Sequence, residues 1–381
     1  LLSMYWVSNS ISAFDPTLFY LVPLIIIIFP LSLSIFFGVM QLVNAFLWCE
    51  GNSKLFYFSS TWAIFEFLRS FLFTGLPWNL LGYSWSWSLS FSQSVSFLGI
   101  HGLGLLSVFC SVCMFSFIID NKNKFYFIIA ITILLLLYGY GTFRINNNQT
   151  IFTDNQIRIV HTYFDQENKW KKSSIDQTIL MGSSDLITVF PETSLGTDAK
   201  QPKNWIFGYI RKDRHNFFNS INYMGFTYDK KILVPFGEYF PFFKYLNILF
   251  TENHLFNRGL TKGDSDQLFA KNILPLICYE AIFSSFVRNS VLESTNLLVN
   301  ISNDAWFGNF SGPIQHFVHA KFRAIELGIP MVRSSNKGVT GLISPLGDTI
   351  NIINSNKNGF LDVKIPKKLE STFYLKHGNI L

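Results

Sequence analysis

Reactive residues stand where three apolar runs end. Glu192 closes LITVFPE, Cys278 follows LPLI, and Asn303 and Asp304 follow LLVNIS. Lys230 stands just before a further apolar run, ILVPFGE. Open α/β sheets place their reactive groups at such strand ends. A cysteine is nucleophilic as its thiolate and so needs a base or a cation nearby. A glutamate can take the thiol proton, and a lysine ammonium can stabilise both thiolate and oxyanion. Glu192, Lys230 and Cys278 therefore form a chemically complete set for acyl transfer. Spacing alone does not bring them together: single buried cysteines are mostly inert, and single Glu and Lys side chains are mostly solvated.

The elements that must position them are short. Ile157–His161, Leu186–Phe190, Trp205–Ile210, Leu274–Ile277 and Asn296–Ser302 read as buried strands. Gln315–Leu327 reads as a helix ended by Gly328 and Pro330. This alternation predicts a layered α/β domain over 146–370.

The segment before it is a different material. Up to Ile119 the acidic and basic residues are Asp15, Glu50, Lys54, Glu66 and Arg69, too few for a water-facing surface. About 20 apolar residues span a bilayer. Leu18–Leu47, Leu55–Phe73, Val95–Ile119 and Phe125–Tyr140 qualify, so about four membrane helices are expected over 1–145, the first kinked by Pro23 and Pro30. Lys54, Lys122 and Lys124 put their short loops in the cytoplasm and the chain after Arg144 outside. The formal charge of +6 comes from scattered basic residues without a stripe, which excludes nucleic acid and suits anionic lipid. No cleavable signal peptide is visible. The start at Leu-Leu-Ser and the polar end over 371–381 read as cut, the latter as a linker toward a further helix.

Other chemistry-bearing residues have plainer readings. Cys110 and Cys113 form a CxxC inside an apolar run and are expected as small core residues of a membrane helix. His316 and His319 stand i,i+3 on a helix with no acidic or Cys partner at ligand spacing, so packing is expected rather than a metal. Glu66 and Arg69 are spaced for an intrahelical pair with a structural role.

Ordered motifs sharpen the reading. FPETS, LVPFGEYFP, ICYE and SNDAWFG resemble the nitrilase (C–N hydrolase) superfamily. With GPIQH, AKFRAIELGIP, RSSNKGVTGLISPLGD and the membrane stretch EFLRSFLFTGLPWNLLGYS, the fuller resemblance is to the apolipoprotein N-acyltransferases of bacterial inner membranes, from about Trp62 to Asp348. It implies a transmembrane α-helical bundle joined to an extracytoplasmic nitrilase-like α-β-β-α sandwich. It also implies a multi-pass inner-membrane protein, monomeric and without cofactor or metal, with a periplasmic catalytic domain. Glu192 matches the general base, Lys230 the catalytic lysine and Cys278 the nucleophile. Glu238, Tyr279 and Glu280 match supporting residues, and Trp170 and Trp306 match tryptophans lining the site. Asn303 joins them from the strand end.

The implied reaction moves an acyl chain from a phospholipid through a Cys278 thioester to the α-amine of a diacylglyceryl-cysteine apolipoprotein. The rival readings are a membrane-tethered nitrilase-type amidase and an inactive membrane scaffold. The chain departs from the family in the brief TSLGTDAKQPK after Glu192, where a helix is usual. Because an acyl chain is costly to expose to water, Pro77–Trp87 and Tyr239–Phe250 are expected to rim a site open toward the bilayer.

Overall fold

Apolar length separates the two halves of the chain. The computed structural model describes residues 3–14, 16–48, 51, 53–120, 124–195, 201–239, 241, 259–264, 269–270 and 272–379. Its N-terminal part holds α1 (Val7–Phe14), α2 (Val22–Phe46), α3 (Ser53–Arg69), α4 (Leu89–Ser92), α5 (Val95–Ile119) and α6 (Lys124–Asn147). Among the described residues three helices are long and apolar enough to cross a membrane: Phe19–Phe46, Val95–Ile119 and Lys124–Asn147. Among the side chains of α2 only Met40 and Asn44 are buried and the rest are exposed or half-exposed, as suits a surface solvated by lipid.

The expected helix Leu55–Phe73 is shorter, at 17 residues, because the chain turns back after Arg69. The Leu76 amide returns to the Arg69 carbonyl at 2.9 Å. The expected Glu66–Arg69 contact is not made. Arg69 donates instead to the Trp78 carbonyl at 3.0 Å, and Glu66 accepts from the Leu81 amide at 3.0 Å. Their structural role is to anchor the loop after α3, whose backbone groups lack helical partners. Cys110 and Cys113 are free and packed with Leu55, Phe109 and Ala130, as small core residues.

Apolar strands then make two sheets, four strands of the second being buried along their whole length. β1 (Phe152–His161), β2 (Ile187–Val189), β3 (Trp205–Asp213), β4 (Asn216–Tyr223), β5 (Phe226–Asp229) and β11 (Gly359–Pro366) run in the order β11-β1-β2-β3-β4-β5. β6 (Ile273–Ile277), β7 (Leu297–Asn303), β8 (Met331–Asn336), β9 (Thr340–Ile343) and β10 (Thr349–Ile353) run in the order β10-β9-β8-β7-β6. β1, β2 and β3 are parallel neighbours, as are β6, β7 and β8.

The sheets face each other through Ile157, Ile159 and Ile206 on one side and Val299, Ile301 and Val332 on the other. Outside the first sheet, α7 (Lys172–Leu180) packs Ile175 and Ile179 on Phe190 and Trp205. Beyond β6 comes α8 (Ser284–Asn289). Outside the second sheet, α9 (Gly312–Leu327) packs Ala320, Ala324 and Leu327 on Leu276, Leu298 and Met331. The result is the expected α-β-β-α sandwich beside a helical membrane part. Among the described residues the last helix is α10 (Phe373–His377).

The second face of α9 meets the membrane part. Phe322 and Ile325 pack with Leu80, Tyr83, Val95, Ile100 and Leu103. α5 breaks at Gly99, where φ is 68°, and a Cβ there would lie 2.5 Å from Tyr374 Cε2. The amide freed at Ile100 donates to Glu326 Oε1 at 3.1 Å. Glu326 also accepts from Arg323 at 2.9 Å and from the Ser284 hydroxyl at 2.8 Å. A buried carboxylate with these partners fixes the register of the two halves.

Candidate active site

The strand-end residues Glu192, Cys278, Asn303 and Asp304 converge at one end of the sandwich. Cys278 follows β6 with φ of 50°, the left-handed region that non-glycine residues rarely occupy. This sharp elbow is held by Glu280, which accepts from the Ile277 amide at 2.7 Å. Glu280 further accepts from the Lys231 amide at 2.6 Å and the Tyr228 hydroxyl at 2.8 Å. Burial pushes its pKa up against these donors. Its carboxylate thus ties the elbow to the segment carrying Lys230.

Polar groups beneath the elbow complete its support. The Ser302 hydroxyl lies 3.3 Å from Cys278 Sγ and 2.6 Å from Asp304 Oδ1. His316 Nε2 lies 3.2 Å from the Cys278 carbonyl, and its Nδ1 lies 2.9 Å from Asp304. Arg333 pairs with the other Asp304 oxygen at 2.8 Å. Burial opposes the Asp304 charge, but Arg333 and His316 outweigh it and hold its pKa well below the carboxylate range.

Chain spacing gave His316 no acidic or Cys partner; the fold supplies both, with Cys278, Asp304 and His316 donor atoms within 4.8 Å of one another. Arg333 already neutralises that set, so it reads as a hydrogen-bonded support. His319 packs against Tyr83 and Trp78, at 4.2 Å and 4.9 Å between ring centroids.

Above the elbow, Lys230 follows β5 and is 1% exposed. Its ammonium lies 2.9 Å from Glu238 Oε1 and 3.5 Å from Glu192 Oε1. Burial works against this charge, but Glu238, Glu192 and Cys278 outweigh it and raise the pKa above the ordinary lysine value. Glu192 Oε2 accepts from the Asn303 amide at 2.8 Å, and Oε1 from Asn219 Nδ2 at 2.6 Å. Asn219, on β4, also donates to Glu238 at 2.9 Å and so spaces the two carboxylates. Burial and the Glu192 charge push the Cys278 thiol well up, while Lys230 opposes them. Ionisation of the thiol is thereby disfavoured, so a base must take its proton as the sulfur attacks.

The neighbouring residues divide by role. Tyr279 is buried and its hydroxyl donates to the Gly75 carbonyl at 3.0 Å, joining the elbow to the membrane part. Trp170 is exposed at the rim, with its indole donating to the Thr193 carbonyl at 2.9 Å. Trp306 is half-buried, its carbonyl accepting from Asn9 at 3.2 Å. The Asn303 side chain lies 2.7 Å from Gln166 Oε1 and 2.8 Å from Asn336 Nδ2.

Gly208 on β3 permits the close approach of the Glu192 turn: a Cβ there would lie 2.6 Å from the Thr193 nitrogen. Of the expected rim, Trp78, Leu80 and Tyr83 are buried, and Trp87 is exposed. Residues 240 and 242–250 of the other rim segment, and 196–200 of the brief stretch after Glu192, lie outside the described residues.

Asn219 and Lys169 escaped the sequence reading, each lying in a strand or loop outside the quoted motifs, and Ser302 and Arg333 stood in quoted motifs without being assigned a role.

The description "Apolipoprotein N-acyltransferase N-terminal domain" matches residues 1–113, and "Carbon-nitrogen hydrolase" matches residues 204–372. An apolipoprotein N-acyltransferase of Rickettsia bellii is 33% identical over 420 aligned positions, covering 99% of this chain and 83% of that protein. Those of Wigglesworthia glossinidia brevipalpis and Brucella melitensis are 31% and 27% identical, covering 99% and 95% of this chain and 83% and 77% of theirs. Among solved structures, an amidase from Nesterenkonia sp. aligns with a TM-score of 0.40 and 14% identity, covering 60% of this chain and 95% of that one.

Proposed function

Because the chain belongs to the apolipoprotein N-acyltransferase family, we propose that it acylates lipoproteins with Glu192, Lys230 and Cys278 as its reacting groups. The observation that carries this reading is the buried Lys230 ammonium, held against Glu192 and Glu238 beside the strained Cys278 elbow.

Glu192 takes the Cys278 proton as sulfur attacks the carbonyl carbon of a phospholipid ester. The oxyanion that forms is met by the Lys230 ammonium and the Tyr279 backbone N–H. Collapse breaks the ester C–O bond, and Glu192 returns the proton to the departing lysophospholipid oxygen. The thioester remains on Cys278. The free α-amine of a diacylglyceryl-cysteine apolipoprotein then attacks it. Glu192 accepts the amine proton and passes it to the departing Cys278 sulfur as the C–S bond breaks, so the amide product leaves with the thiol and the carboxylate restored. Glu238 and Asn219 hold Lys230 and Glu192 apart at working distance, and Trp170 and Trp306 line the entrance.

A nitrilase-type amidase would share the triad but pass the acyl group to water. The match over residues 1–113 disfavours it. A two-stage chase separates the two. Protein loaded with labelled acyl chain, freed of lipid and given a diacylglyceryl-cysteine peptide is expected to label the peptide amine. Release of the label as free fatty acid at an unchanged rate, with or without peptide, supports the amidase instead.

The chain is a bacterial inner-membrane protein. We further propose that the sandwich lies on its periplasmic side, from the lysine bias of the short loops. A cysteine introduced at Asn147 is expected to react with an impermeant thiol reagent in intact cells, and one at Asn123 to be protected. The reverse pattern would put the sandwich in the cytoplasm, away from exported lipoproteins.

A further inference from the structure

Lys169 has no part in the steps above, yet it is buried beside them. It stands on the loop between β1 and α7, in a turn closed by its own amide on the Asp165 carbonyl at 3.0 Å. Its side chain, 5% exposed, runs inward to the Glu192 turn. Nζ donates to Thr193 Oγ1 at 2.5 Å and reaches the Glu192 carbonyl at 3.5 Å. With the Asn303 amide oxygen turned toward it, Nζ finds a third acceptor at 3.2 Å. Thr193 needs such support, since φ of 47° is unusual for a β-branched residue. The indole of the adjoining Trp170 takes the Thr193 carbonyl as well, at 2.9 Å.

One ammonium thus binds the carbonyl of Glu192 and the hydroxyl of the residue after it, next to Asn303, whose backbone amide holds the Glu192 carboxylate. We infer that Lys169 is a positioning residue for acyl transfer, aiming Glu192 and adding a second positive charge to the pocket in which thiolate and oxyanion develop. This rests on the triad mechanism proposed above.

The charged groups around it fix how that charge responds to pH. Facing it are Glu192 after β2 and Cys278 after β6, with Lys230 and Glu238 beyond Glu192. On its own loop Asp165 is paired with Lys337 at 2.5 Å, and Glu167, Lys171 and Lys172 are sequence neighbours. Burial pulls the Lys169 ammonium down to about 8, with Glu192 and Cys278 opposing. Lys230 is held above the lysine range and His316 below the histidine range. As pH rises past about 8, Lys169 loses its proton, the second cation vanishes, and the developing thiolate is less stabilised.

The test is the single-turnover rate of Cys278 acylation by phospholipid, followed from pH 6 to pH 10 without acceptor amine. The wild-type rate is expected to fall above a midpoint near 8. Lys169→Arg, always charged, should keep most of the neutral-pH rate and lose that alkaline fall. Lys169→Met should be slower at pH 7 by about 10- to 100-fold and show no alkaline fall. A residue needed only for folding would lower the rate in Lys169→Met by one factor at every pH and leave the fall in place. Persistence of the wild-type midpoint in either variant, or a wild-type rate in Lys169→Met, overturns the inference. Failure of the wild type to form any thioester would instead overturn the mechanism beneath it.

Discussion

Replacing Cys278 by alanine is expected to abolish both half-reactions while leaving the fold intact. Alanine fits the φ of 50° no worse than cysteine does, and the elbow's hydrogen bonds run through backbone groups and Glu280. What disappears is the sulfur. No other nucleophile replaces it: the Ser302 hydroxyl is already committed to Asp304 at 2.6 Å. Removing a covalent nucleophile from a coupled site costs about 10⁴-fold or more. Transfer of labelled acyl chains to a diacylglyceryl-cysteine peptide should therefore fall to background, with an unchanged melting transition. Transfer surviving in Cys278→Ala would mean direct attack of the amine on the phospholipid, without an acyl-enzyme.

The second large effect is expected at Glu192. Glutamine keeps the shape but cannot accept the thiol proton. It also turns an NH₂ toward one of two donors, the Asn303 amide or Asn219 Nδ2, which lie 2.8 Å and 2.6 Å from the carboxylate. Lys230 would retain Glu238 as its partner and stay charged. Formation of the acyl-enzyme should slow by at least ~100-fold, the contribution of a general base. Reaction of Cys278 with a small soluble thiol reagent at high pH, where hydroxide removes the proton, should change far less. An unaltered acylation rate in Glu192→Gln would take this residue out of its assigned role.

How much of this was legible in the sequence depended on whether a feature is local. Apolar runs alternating with helical ones predicted a layered α/β domain, because buried strands need helices to cover them, while the α-β-β-α sandwich was legible through the ordered motifs. The motif around Cys278 was legible because an elbow is a local turn. Asn219 was not: NFFNSINY reads as any half-buried strand, and its bridge between Glu192 and Glu238 exists only once β4 lies beside the Glu192 turn.

The same holds for His316, whose partner Asp304 is brought to it by the packing of α9 on the second sheet. Glu66 and Arg69 failed differently. Helical spacing allowed a direct pair, but the loop after α3 offered each side chain a backbone partner, which no local pattern announces. The second buried face of α9 was also hidden, since AKFRAIELGIP gives no sign that Phe322 and Ile325 meet the membrane helices.

The thioester is the step on which every other assignment depends, and intact-protein mass spectrometry reads it directly. Purified protein incubated with a phospholipid of defined acyl chains, without acceptor, should gain the mass of one acyl group less the hydrogen it replaces. Peptide mapping should place that mass on Cys278, neutral hydroxylamine should remove it, and addition of a diacylglyceryl-cysteine peptide should discharge it to the peptide amine. An unmodified Cys278 under conditions in which the same preparation N-acylates the peptide would contradict the mechanism.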